Sequence, residues 1–153
     1  MRKRCRRKHY ALVNPIAMAI EGVQVTDKAL LDQVRVAELS AIDLFTRGQA
    51  EPAHWRVIAD MLNVAETMAQ GGVGPEVLPA CEAVTRTLER AHELHEQGRA
   101  MVLNAEQIRA LRELYEWHDL QRTSLTRQQY ATWIERTANR IRGAHPSLKR
   151  YVT

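Results

Sequence analysis

The chain has 153 residues, 45% apolar and 26% charged, with a formal net charge of +4. A chain of this length buries roughly 70% of its unfolded surface, so it needs neither disulfides nor a structural metal to fold, and its apolar share excludes global disorder. One Phe, three Trp and four Tyr leave Leu, Ile, Val, Ala and Met to build the interior, a composition that suits helices better than sheets.

Residues 1–13 read as a basic leader in which Arg2, Lys3, Arg4, Arg6, Arg7 and Lys8 occur with no acid among residues 1–9. The apolar stretch that follows is about ten residues long and is interrupted by Asn14 and Pro15. Signal-peptide cores lack such breaks, and no run reaches the roughly 20 apolar residues of a membrane span. Cys5 in the leader and Cys81 on an apolar stripe make no disulfide framework, which fits a reducing cytoplasm.

Asn14 before Pro15 is a helix start, and Gly22 closes a short helix over residues 16–21. Thr26 caps a longer helix whose apolar residues Leu30, Leu31, Val34, Ala37, Ala41, Ile42 and Phe45 recur at three- and four-residue steps until Gly48. Pro52 opens the next, with Trp55, Ile58, Ala59, Leu62, Ala65 and Met68 on one face. The Gly71–Pro75 stretch is a firm break. Beyond it Val77, Cys81, Val84, Leu88, Ala91 and His95 form a narrow, coiled-coil-like seam, with Pro79 in the first turn. That seam packs either on another helix of the same chain or, as the alternative, on a second copy in a homodimer. Asn104 and Gln107 have capping-box spacing ahead of Ile108, Leu111, Leu114, Tyr115 and His118. Thr126 and Gln129 match the box for a last helix carrying Tyr130, Trp133, Ile134, Thr137, Ala138 and Ile141 and ending at Gly143. Residues 144–153 read as a loosely ordered basic tail. No segment of useful length alternates with period two. The expected fold is all-α: a single-domain bundle over residues 14–143, with about five main helices and a short N-terminal one.

The motifs that carry chemistry are weak. Glu89 and His92 have the Glu-x-x-His spacing of di-iron bundles, but no two further inward-facing glutamates can be assigned. Glu51 and His54 repeat the spacing across Pro52, at a helix start rather than a bundle interior. His92 and His95 are three apart, which is not the zinc-protease spacing. Glu113, Tyr115, Glu116, His118 and Asp119 cluster on one helix, yet His118 and Asp119 point about 100° apart and form no relay by themselves. Phosphate-cradling and nucleophile-elbow motifs are missing from the sequence. No catalytic residue, metal or cofactor is expected.

Charge distribution is the stronger signal. The C-terminal residues 136–153 hold Arg136, Arg140, Arg142, Lys149 and Arg150 without an acid. Residues 10–135 hold 11 basic and 18 acidic side chains, so a mildly acidic body lies between two basic ends. Arg2, Lys3, Arg4, Arg6, Arg7 and Lys8, with Arg136, Arg140 and Arg142, are the candidate contacts to nucleic acid or to an acidic partner surface. The segment 120–134 begins like a helix-turn-helix, but no glycine-bearing turn and recognition helix follow.

The leader running into Leu12-Val13-Asn14-Pro15-Ile16-Ala17, the stretch from Leu39 to Gly48 leading into Trp55 to Ala69, and the later stretches Val102 to Asp119 and Thr126 to Ile134 share a layout. Together they resemble small accessory proteins encoded by phages and prophages of proteobacteria. The resemblance covers most of the chain in spacing and texture, and it transfers no functional residue. It implies a bacterial cytoplasm and an accessory role in binding a host protein or a protein–nucleic-acid complex. The expectation is a non-enzymatic binding module. The alternative is a nucleic-acid-binding regulator that uses its basic ends.

Overall fold

A computed structural model describes residues 28–144. The basic leader, the short helix expected over residues 16–21, the Thr26 cap and the tail from residue 145 lie outside the described residues.

Five α-helices and one 3₁₀ turn make up the described chain, and no strand occurs among these residues. Helix α1 (Lys28–Thr46) buries Leu31, Glu38, Ala41, Ile42 and Phe45, and Gly48 ends it in the left-handed region at φ +68°. Helix α2 (Pro52–Gln70) begins with proline, where the missing N–H costs nothing, and the Glu51 N–H donates to His54 Nδ1 at 2.9 Å. The 3₁₀ turn Pro75–Val77 leads into helix α3 (Leu78–Glu96), with Pro79 in its first turn. Helix α4 (Ala105–Thr123) is capped reciprocally: the Gln107 N–H donates to Asn104 Oδ1 at 2.8 Å, and the Asn104 N–H donates to Gln107 Oε1 at 2.9 Å. Thr126 and Gln129 repeat the device for helix α5 (Arg127–Gly143).

Helix α2 is the centre of the bundle. It buries Ile58, Ala59, Met61, Leu62, Ala65, Thr67, Met68 and Ala69, a set too broad for one face, because α1, α3, α4 and α5 all pack on it. The core continues through Val77, Val84 and Leu88 to Leu111 and Leu114.

Helix α3 differs from the narrow seam expected of it. Ala80, Thr87 and Leu94 are buried beside Cys81, Val84, Leu88 and Ala91, because α2 and α4 cover two adjoining sides. His95 lies beyond that cover and is exposed. The face that could have paired with a second copy is therefore occupied within the chain. No helix among the described residues is long and apolar enough to cross a membrane.

Candidate functional site

The C-terminal half of α4 turns polar on the side that its leucines use earlier. After Leu111 and Leu114, the next buried residues are His118, Gln121 and Arg122. On α1 the same thing happens at Glu38, which stands one heptad after Leu31 and one before Phe45. Where the helices meet, Arg122 Nη1 donates to Glu38 Oε1 at 3.0 Å and Nη2 donates to Oε2 at 2.8 Å. Arg122 Nε donates to Asp119 Oδ1 at 2.8 Å, and Arg35 closes the chain with two 2.8 Å bonds to Asp119. Four charges thus alternate in sign across the α1–α4 contact, and Arg122 is fully enclosed while Glu38 is 4% exposed.

Each group's titration follows from its neighbours. Burial pushes the Glu38 carboxyl up against the pull of Arg122, and burial wins. Burial also works against the charge on Asp119, but the hydrogen bonds from Arg35 and Arg122 outweigh it and hold that carboxyl below the usual range. For Arg122, burial opposes the charge and the bonds to Glu38 and Asp119 restore it, so the guanidinium is held more firmly protonated than usual. The bidentate geometry is that of an ionised pair.

His118 goes the other way. It is 1% exposed, and its Nδ1 lies 3.0 Å from Gln121 Oε1. Gln121 Nε2 donates to Val73 O at 2.7 Å and Ala65 O at 3.2 Å, which fixes the amide so that Oε1 faces the ring. An amide oxygen only accepts, so His118 carries its proton on Nδ1 and presents Nε2 as a bare acceptor. Burial lowers the imidazole pKa to about 4, leaving the ring neutral near pH 7. Gly74 makes room for this arrangement: it sits at φ +60°, and a Cβ there would lie 2.9 Å from Gln121 Cγ.

Above His118 a groove of about 580 Å³ opens between α1, α2 and α5. Leu30 and Val34 form one wall, Val57 and Val64 another, and Tyr130 and Ile134 the third, with Glu38 and His118 also lining it. Leu30 and Ile134 are half-exposed lips.

The arginines of α5 divide. Arg136 is exposed and stacks 4.7 Å over the Trp133 ring. Arg142 is exposed and bonds Asn139 within its own helix. Arg140 is committed to α2, where it donates to Glu66 Oε2 at 2.8 Å and Asn63 O at 3.2 Å. No protein-family model, curated protein or solved structure matches this chain.

The other sequence candidates fall apart spatially. His118 and Asp119 diverge to Gln121 and the arginines respectively, while Glu113 and Glu116 are exposed. Glu51 and His54 form a helix cap. His92 Nε2 lies 3.3 Å from Glu96 and its ring tilts against Trp55, so it does not join Glu89 in a bundle interior. No group of three or more metal-type side chains forms among the described residues. Cys81 is buried, its thiol pushed up to about 12, which leaves it unreactive. Sequence reading missed Arg35, Glu38, Gln121 and Arg122. The signal was there: opposite charges occupy core-stripe positions on two helices, Glu38 between Leu31 and Phe45 and Arg122 one turn after His118.

Proposed function

We propose that the chain is a non-enzymatic accessory binding protein of the phage and prophage kind. It acts in the bacterial cytoplasm and engages a host protein or protein–nucleic-acid complex. The observation that carries this reading is the segregation of charge, with basic residues gathered at both ends of a body that holds 18 acidic and 11 basic side chains. Arg136 and Arg142 keep exposed guanidinium groups on α5, next to the tail that carries Lys149 and Arg150. Arg2, Lys3, Arg4, Arg6, Arg7 and Lys8 supply the other end.

Capture from a proteobacterial host lysate, with and without nuclease, tests it. Recovery of one defined host protein after nuclease treatment supports the reading. Broad recovery that disappears with nuclease transfers the function to direct nucleic-acid binding through the basic ends. That second reading draws on Arg136, whose stacking on Trp133 offers a flat cation to a phosphate or base. It requires duplex affinity to fall steeply as salt rises, as counterion release dictates.

A further inference from the structure

We infer that the groove between α1, α2 and α5 binds a small neutral molecule with an apolar body and a single hydroxyl or N–H donor, which bonds to Nε2 of His118. The volume of about 580 Å³ falls within the roughly 300–1,000 Å³ of sites that hold drug-sized ligands. Most of the lining is apolar, with Glu38, Asp60, His118 and Arg127 as its charged or titratable members, so the body of the ligand is apolar.

The floor sets the head group. Gln121 takes Nδ1–H, and Nε2 has no hydrogen-bond partner among the described residues, although the ring is 1% exposed. A buried acceptor left unsatisfied is destabilising, and a donor on the ligand relieves that cost. The charges explain why the ligand is neutral. Glu38 is already paired with Arg122, and Asp60 and Arg127 bring opposite signs to the groove lining. A single fixed acceptor also suits one donor, rather than the repeating donors and acceptors of a peptide backbone.

The full chain is titrated into N-phenyl-1-naphthylamine, a neutral apolar fluorophore with one N–H. Bound probe is then displaced by 1-decanol or by decyl methyl ether. The ether is the more hydrophobic competitor but has no donor. Probe fluorescence rises on binding, and the alcohol displaces it at a concentration about tenfold below the ether, the worth of one hydrogen bond in an apolar site. His118→Phe keeps the ring and removes the acceptor, bringing the two competitors within about threefold. Ala131→Trp, on the exposed side of α5 facing the groove, fills the site and weakens probe binding at least tenfold with the helical circular dichroism unchanged. Should His118→Phe fail to fold, the wild-type comparison and Ala131→Trp decide. A folded full chain that takes up no probe overturns the inference, because another segment or a second copy then fills the groove. Equal displacement by alcohol and ether overturns it, and so does unchanged uptake by Ala131→Trp.

Discussion

Arg122 is enclosed and Glu38 nearly so, and their energetics therefore differ from those of a surface pair. Removing one partner leaves a buried charge uncompensated, whereas replacing both by apolar residues of similar size removes the desolvation cost as well. Glu38→Ala is expected to lower unfolding free energy by about 3–5 kcal/mol, and Glu38→Leu with Arg122→Met to recover most of that loss. Urea denaturation of the single and double variants gives the coupling; additive losses would contradict it. His118 supplies a pH dependence of definite sign. Its folded pKa of about 4 lies below the ordinary imidazole value of 6.5, so between them the unfolded chain binds a proton that the folded chain refuses. Stability therefore falls as pH drops through that window, by up to about 3 kcal/mol. Arg122 reinforces the refusal and Asp119 opposes it, while Gln121 and Tyr130 face the ring without charge. Asp119, held low, loses stability in the same direction at more acid pH, and Glu38, pushed up, regains some. The gap in urea midpoint between wild type and His118→Phe should change across pH 4–7. A constant gap would show that the buried imidazole does not titrate as described.

Helix α5 is attached more sparingly than its neighbours. Among its described residues only Thr137 is fully buried, and the helix lies against α2. Two contacts matter: the Trp133 ring seated on Gly71, and Arg140 reaching Glu66 and the Asn63 carbonyl. Gly71 has an ordinary negative φ, so its lack of a side chain is about space rather than backbone freedom. A methyl group there would overlap the rigid indole. Gly71→Ala is expected to cost about 1–3 kcal/mol and to raise amide exchange across α5 before α2–α4. Arg140→Ala should cost about 1 kcal/mol or less, since the pair is partly exposed. If Gly71→Ala left α5 protection unchanged, the indole would not be what seats the helix.

Across the whole molecule the proposed binding role rests on charge, whereas the described fold rests on apolar packing. The helical body over the described residues is held by the Leu, Ile, Val, Ala and Met core around α2. Replacing Arg2, Arg4, Arg6, Arg7 and Lys8 by Ala is expected to shift the melting temperature by no more than about 2 °C while reducing partner recovery severalfold. A collapse in melting temperature would make the leader part of the fold and remove its claim as a binding segment.

The fold class was legible in the sequence because helix signals are local. Pro52, Pro79, Asn104 with Gln107, and Thr126 with Gln129 act within one turn of themselves, and each appears at a helix start in the structure. Gly48 and Gly98 end their helices with positive φ for the same local reason. Periodicity also put His118 on the buried stripe of α4. It could not say what His118 meets, because Gln121, Val73, Ala65 and Tyr130 come from α4, the loop, α2 and α5 and converge only on packing. The pairing of Glu38 with Arg122 spans 84 positions, and the commitment of Arg140 to Glu66 spans 74. An exposed arginine and a buried one look alike in a sequence. Burial, and with it the sign and size of every charge effect in this protein, is set by which helices come to lie beside one another.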